Sequence, residues 1–113
     1  MSGVLSVYVT VPDEETARHI ARTVVDERLA ACANILPGCR SVYRWQGQVE
    51  EAGEVALILK TASARFPALE RRIRELHPYE VPCIVAWEVR DGHGPYLDWV
   101  TAETVGGEGK AQT

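Results

Sequence analysis

Long apolar runs, paired cysteines and an excess of basic charge are all missing from this 113-residue chain, and each absence removes a class of protein. No apolar stretch approaches the roughly 18 residues that a membrane-crossing helix needs, and no basic segment followed by an apolar stretch marks a secretory leader. The expectation is a cytoplasmic chain with no membrane partner. Twelve Lys and Arg against sixteen Asp and Glu leave a net charge of −4. Phosphate contacts draw on clustered Lys and Arg, so nucleic acid is not an expected partner. The three cysteines, Cys32, Cys39 and Cys83, are odd in number and lack C-x-x-C spacing, which argues against a disulfide framework or a zinc knuckle. Nucleotide-binding loops, the nucleophile elbow, the H-E-x-x-H helix and the calcium loop are absent too.

What is there suits one small α/β domain. The 46% hydrophobic content fills a single modest core, so one domain is expected over residues 1–105, with a flexible C-terminal tail over 106–113. Leu5, Val7, Val9 and Val11 alternate along a first strand that Pro12 stops. Asp13 is a helix cap, and Ala17, Ile20, Ala21, Val24 and Val25 follow helical spacing to about Leu29. From Cys32 to Ile35 the chain is extended, Pro37-Gly38 bends it, and a strand resumes over residues 40–45 before a tight turn at Gln46-Gly47. The return limb ends in the apolar run of residues 55–59, which suits a central strand. Ser63 caps a second helix carrying Phe66, Leu69, Ile73 and Leu76 on one face, and Pro78 ends it at His77. A fourth strand over 83–89 and a short helix over 96–104 complete the order. The βαββαβ pattern predicts a ferredoxin-like fold, a four-stranded antiparallel sheet with both main helices on one face. The other face needs a cover, most simply further copies of the chain.

Few residues suggest chemistry. Cys32 with His77 is the one pair worth testing for catalysis, but no nucleophile, base and oxyanion donor stand out together, so the chain does not read as an enzyme. Thiolate and imidazole favour Cu and Zn over Mg or Ca, which makes Cys32, Cys39, His77, Cys83 and His93 candidate metal ligands. Their spacing closes no site, and each thiol also reads as a small packing residue. Glu50, Glu51 and Glu54 read as solubilising charges of the hairpin, and Arg71, Arg72 and Arg74 as the outer face of the second helix. The segment His77-Pro78-Tyr79-Glu80-Val81-Pro82 is different. Two prolines stiffen a loop that carries a titratable ring and a polar-tipped aromatic, and that combination suits either a binding loop or a rigid link.

Four ordered stretches carry a resemblance: Arg28-Leu29-Ala30-Ala31-Cys32-Ala33-Asn34, Ser41-Val42-Tyr43-Arg44-Trp45-Gln46-Gly47, Leu57-Ile58-Leu59-Lys60-Thr61 and His77-Pro78-Tyr79-Glu80-Val81-Pro82. They resemble the signatures of the CutA family of divalent-cation tolerance proteins, and the likeness spans residues 5–105. The resemblance implies a ferredoxin-like subunit in a homotrimer similar to that of the PII signalling proteins, with the uncovered sheet faces meeting at its centre. It also implies binding of copper or another divalent transition metal. The family's copper pattern uses a Cys near the end of the first strand and two adjacent His; this chain has Val9 and Leu76 at two of those positions and matches at His77. Metal candidates are therefore His77, with Cys32 and Cys39 secondary. A metal ion or a small polar ligand is expected in clefts between subunits, with Lys60, His77, Tyr79 and Glu80 near the cleft. The alternative is a PII-like interaction or signalling module that recruits a partner protein.

Overall fold

The computed structural model describes residues 2–104; the expected tail at 106–113 lies outside the described residues. The elements are β1 (Val4–Val11), α1 (Glu14–Asp26), β2 (Cys32–Trp45), β3 (Gln48–Ala62), α2 (Phe66–Leu76), β4 (Ile84–Val89) and α3 (Gly94–Thr104). They form a four-stranded sheet in the order β2-β3-β1-β4, and every neighbouring pair is antiparallel. This is the ferredoxin-like arrangement expected from the element order.

Alternation along the strands decides what lies on each face. Val7, Val9 and Val11 of β1 stand beside Leu59, Leu57 and Val55 of β3, and all are buried. Against them pack Ala17, Ile20, Ala21 and Val24 of α1 with Leu69 and Ile73 of α2. Burying such side chains contributes about 1.5–3 kcal/mol each and is the main source of stability. Outside this core, Arg72 of α2 donates to both carboxylate oxygens of Glu27 at 3.0 Å, so one member of the expected arginine face ties α2 to the end of α1.

Helix ends depart from the simple pattern for visible reasons. Asp13 caps α1 as expected, accepting from the Thr16 amide at 2.8 Å; that bond holds its carboxyl below the usual range. The helix stops at Asp26 rather than near Leu29, because Arg28 takes a left-handed φ of 63° and the Leu29 and Ala30 amides fold back onto the Val24 carbonyl. Ser63 does not cap α2. It opens a short 3-10 turn, Ser63–Arg65, and its amide donates to the Gly3 carbonyl at 2.8 Å. Pro67, in the first turn of α2, needs no intrahelical donor there.

Pro37-Gly38 does not interrupt β2. It makes a β-bulge between Leu36 and Cys39, with Gly38 at φ 86°, and the strand continues for 14 residues. The bulge changes which side chains share a face. Before it Cys32, Asn34 and Leu36 stand opposite Lys60, Ile58 and Ala56; after it Cys39, Ser41 and Tyr43 stand opposite Glu54, Ala52 and Glu50. Strand β1 pairs with β3 only from Val55 onward, so the β2–β3 hairpin projects beyond the sheet to its Gln46-Gly47 turn, where both residues have positive φ.

The second sheet face is covered only at one end, where Val100 of α3 packs on Val4 and Ala31. Elsewhere it exposes Val85 and Trp87, the latter packed edge-on against Tyr8 at 6.0 Å.

Candidate functional site

On this open face the base of the hairpin, β1 and the loop after α2 enclose a cavity of about 850 Å³. Glu54 is part of its lining. Glu54 is not the solubilising charge expected of the hairpin: it is buried, with 8% of its surface exposed. It directly precedes the apolar run of β3, next to Val55 where pairing with β1 begins; Glu51 points to the other face, and Glu50, on the same face, lies out on the projecting hairpin. Ser41 donates to Glu54 Oε1 at 2.6 Å, and the Tyr79 hydroxyl donates to Oε2 at 2.8 Å. The bond from Ser41 is short for an O–H···O contact, and that from Tyr79 has the ordinary length. Desolvation, reinforced by the bond to Glu54, pushes the Tyr79 phenol up to about 12, so it stays a neutral donor at physiological pH.

Tyr79 is held in place by His77. The chain leaves α2 at His77 with φ −82° and ψ 135°, the extended geometry that a following proline requires. Buried there, His77 accepts the Tyr79 amide at Nδ1 (3.1 Å), which leaves its proton on Nε2 to donate to the Thr10 carbonyl at 2.8 Å. The two rings are tilted against each other with centroids 4.8 Å apart. His77 therefore fastens the loop to β1 and orients Tyr79 toward Glu54, while both of its nitrogens are engaged by backbone.

The other sequence candidates are dispersed. Glu80 lines the cavity with Tyr79; Lys60 does not. Lys60 stands opposite Ser6 and Cys32, six positions along β3 from Glu54, or about 20 Å at the rise of a strand. Cys32 lies at that same end, its Sγ 3.3 Å from the Tyr96 hydroxyl. Cys39 stands opposite Glu54, with its Sγ 3.8 Å from Ser41 Oγ. His77, Cys32 and Cys39 are thus not brought together within one subunit, and Val9 and Leu76 pack in the core. Among the described residues no three His, Cys, Asp or Glu side chains are grouped to hold a metal ion. The donor set of a single subunit does not fit a closed copper or zinc site.

Tyr8, Ser41, Tyr43, Trp45 and Glu54 are the cavity residues that sequence reasoning missed as site residues. A wider groove, about 1390 Å³, runs between α1 and the edge of β2, but its charged side chains, from Glu14 to Glu27, are exposed and it holds no buried titratable group. The cavity lined by Glu54 is the one with a buried carboxylate.

Comparison with known proteins gives the family and bears on the fold. The family model described as CutA1 divalent ion tolerance protein matches residues 5–103. The chain belongs to the CutA1 family. Its relatives include the divalent-cation tolerance protein CutA of Thermus thermophilus, 53% identical over 98 residues, a match covering 87% of this chain and 95% of that one. Human Protein CutA is 46% identical over 102 residues, but the match spans 90% of this chain and only 57% of the human one. The solved structure of the Thermus thermophilus protein superposes with a TM-score of 0.88 at 51% identity, covering 89% of this chain and 98% of that one. A structure from Archaeoglobus fulgidus, described as a periplasmic divalent cation tolerance protein CutA, gives 0.87 at 36% identity, covering 89% and 98%. These CutA names describe a tolerance protein rather than a reaction. No helix among the described residues is long and apolar enough to cross a membrane.

Proposed function

We propose that this chain is a non-catalytic, cytoplasmic divalent-cation tolerance protein that works as a homotrimer and takes a small polar ligand or a transition-metal ion into clefts between its subunits. The observation that carries the reading is the half-covered sheet face with a buried carboxylate at one edge. Exposed Val85 and Trp87, with Tyr43 and Trp45 on the same face of the projecting hairpin, form apolar surface that a neighbouring subunit would cover, as in the PII-like arrangement. Covering it would wall the Glu54 cavity and turn an open pocket into an inter-subunit cleft. Tyr79 and Glu80 contribute from one subunit; Lys60, at the far end of β3, would reach a cleft only as a neighbour's residue. Copper, or another divalent metal, would likewise need ligands from more than one chain. The free thiols Cys32 and Cys39 are open to that role, as is Cys83, which lines the cavity, and His77 would first have to release a backbone partner.

Sedimentation velocity at micromolar concentration tests the assembly. The expected species has three times the 12.5 kDa of the chain, and a folded monomer would remove the clefts and the proposal with them. Calorimetric titration of the trimer with copper and zinc, repeated on Cys32→Ser and Cys39→Ser, tests the metal. Weakened uptake in either variant supports a thiolate ligand, and uptake unchanged in both takes these thiols out of the site.

A further inference from the structure

The sign of the charge in the Glu54 cavity points to its occupant. Two carboxylates, Glu54 and Glu80, line it, and among the described residues no Lys, Arg or His side chain does. None of the ion pairs formed by the described residues involves Glu54; its hydrogen-bond donors are the neutral hydroxyls of Ser41 and Tyr79. A carboxylate taken out of water without a countercharge is unfavourable, and a bound cation relieves the penalty. The walls decide which kind of cation. Tyr8, Tyr43, Trp45 and Tyr79 bring four aromatic rings to the cavity, and the β2 bulge is what puts Tyr43 on the same sheet face as Glu54. Aromatic faces attract an ammonium group, whereas a divalent metal ion needs several ligands converging on one point, and although Glu54, Glu80 and Cys83 all line the cavity, no three His, Cys, Asp or Glu side chains among the described residues are grouped to hold one. Val42, Val81 and the rings of Pro78 and Pro82 offer apolar contact to a hydrocarbon body, and about 850 Å³ accommodates one.

We infer that the cavity binds a small organic cation, its ammonium head directed at Glu54 between the aromatic rings and its alkyl body against the proline-rich loop. This deepens the ligand-cleft reading above and rests on it in one respect: the cavity must stay reachable in the assembled protein.

The test is calorimetric titration of the full chain with n-butylammonium, and with n-pentanol as an uncharged probe of the same length. Saturable binding of the amine is expected, weaker by about tenfold or more for the alcohol and for Glu54→Gln, as loss of one cation contact implies. Tyr43→Ala, a change at a half-exposed side chain nearer Glu54 on the same face, is expected to weaken the amine similarly while Tyr43→Phe keeps most of the affinity. It supplies an independent arm should Glu54→Gln fail to fold. Absence of saturable amine binding by the parent chain overturns the inference; that is the result if a neighbouring subunit's basic side chain already neutralises Glu54. Equal affinity for amine and alcohol also overturns it. Sedimentation of the same samples separates the two levels: a trimer that ignores the amine sinks this inference alone, and a monomer that binds it sinks the trimer reading alone.

Discussion

Replacing Tyr79 by Phe removes one hydroxyl and asks how much the Glu54 cluster contributes to stability. Moving a phenol from 10.0 to about 12 corresponds to about 3 kcal/mol in favour of its neutral form. Tyr79 remains 38% exposed, so solvent screening lowers the contribution to about 1 kcal/mol. That magnitude is also the net contribution of a typical intramolecular hydrogen bond. The sign with pH follows from the direction of the shift. A phenol pushed up on folding stabilises the native state fully below its unfolded value of 10.0, and that stabilisation is lost as pH rises through about 12. Thermal melts of parent and Tyr79→Phe at one fixed protein concentration should differ by about 5 °C at pH 8, and the difference should shrink between pH 10 and 12. Taking the difference cancels titration of Tyr96, whose phenol is also pushed up, by its bond to Cys32 and then by burial. Identical melts at pH 8, or a gap that widens in alkali, would refute the reasoning.

Three further outcomes follow from the same geometry. Gly38→Ala should lower the denaturant midpoint by about 1 kcal/mol of stability; nothing lies within 4 Å of the added methyl, so an unchanged midpoint would show that the bulge does not need its φ of 86°. Asp13→Ala should reduce thermal stability at neutral pH; the deficit should begin to shrink as pH falls below 3.8, the ordinary carboxyl value, and vanish only once pH has fallen through the lower value that the cap imposes in the folded parent, so a deficit that persists in strong acid would contradict the cap. Trp87→Lys should shift the sedimentation profile toward monomer without loss of helical circular dichroism, since Trp87 is 58% exposed in the subunit; an unshifted profile places the contact elsewhere.

Much of this was legible in the chain itself. Leu5, Val7, Val9 and Val11 announce β1 because a strand separates its faces every second residue, and Ile20, Val24, Leu69 and Ile73 announce helices because their spacing draws one stripe. Pro12, Gln46-Gly47 and Pro78 mark boundaries through steric limits on one or two residues. The loop His77-Pro78-Tyr79-Glu80 could be singled out for the same reason: stiffness and polarity are local properties.

Glu54 was misread because burial of a carboxylate is not local. It depends on Ser41 arriving from β2 and Tyr79 from the loop after α2, 13 and 25 positions away. Lys60 was grouped with Tyr79 because both sit near element ends, yet β3 carries them to opposite regions of the sheet face.

Local sequence therefore determined the elements, their order and the face that each turns to the core, because alternation and helical spacing are set by backbone geometry within a few residues. Which side chains meet on the open face was decided only in three dimensions. One extra residue at the Leu36/Cys39 bulge changes the parity of everything beyond it, and only the folded register brings Ser41, Tyr79 and Glu54 within hydrogen-bond reach.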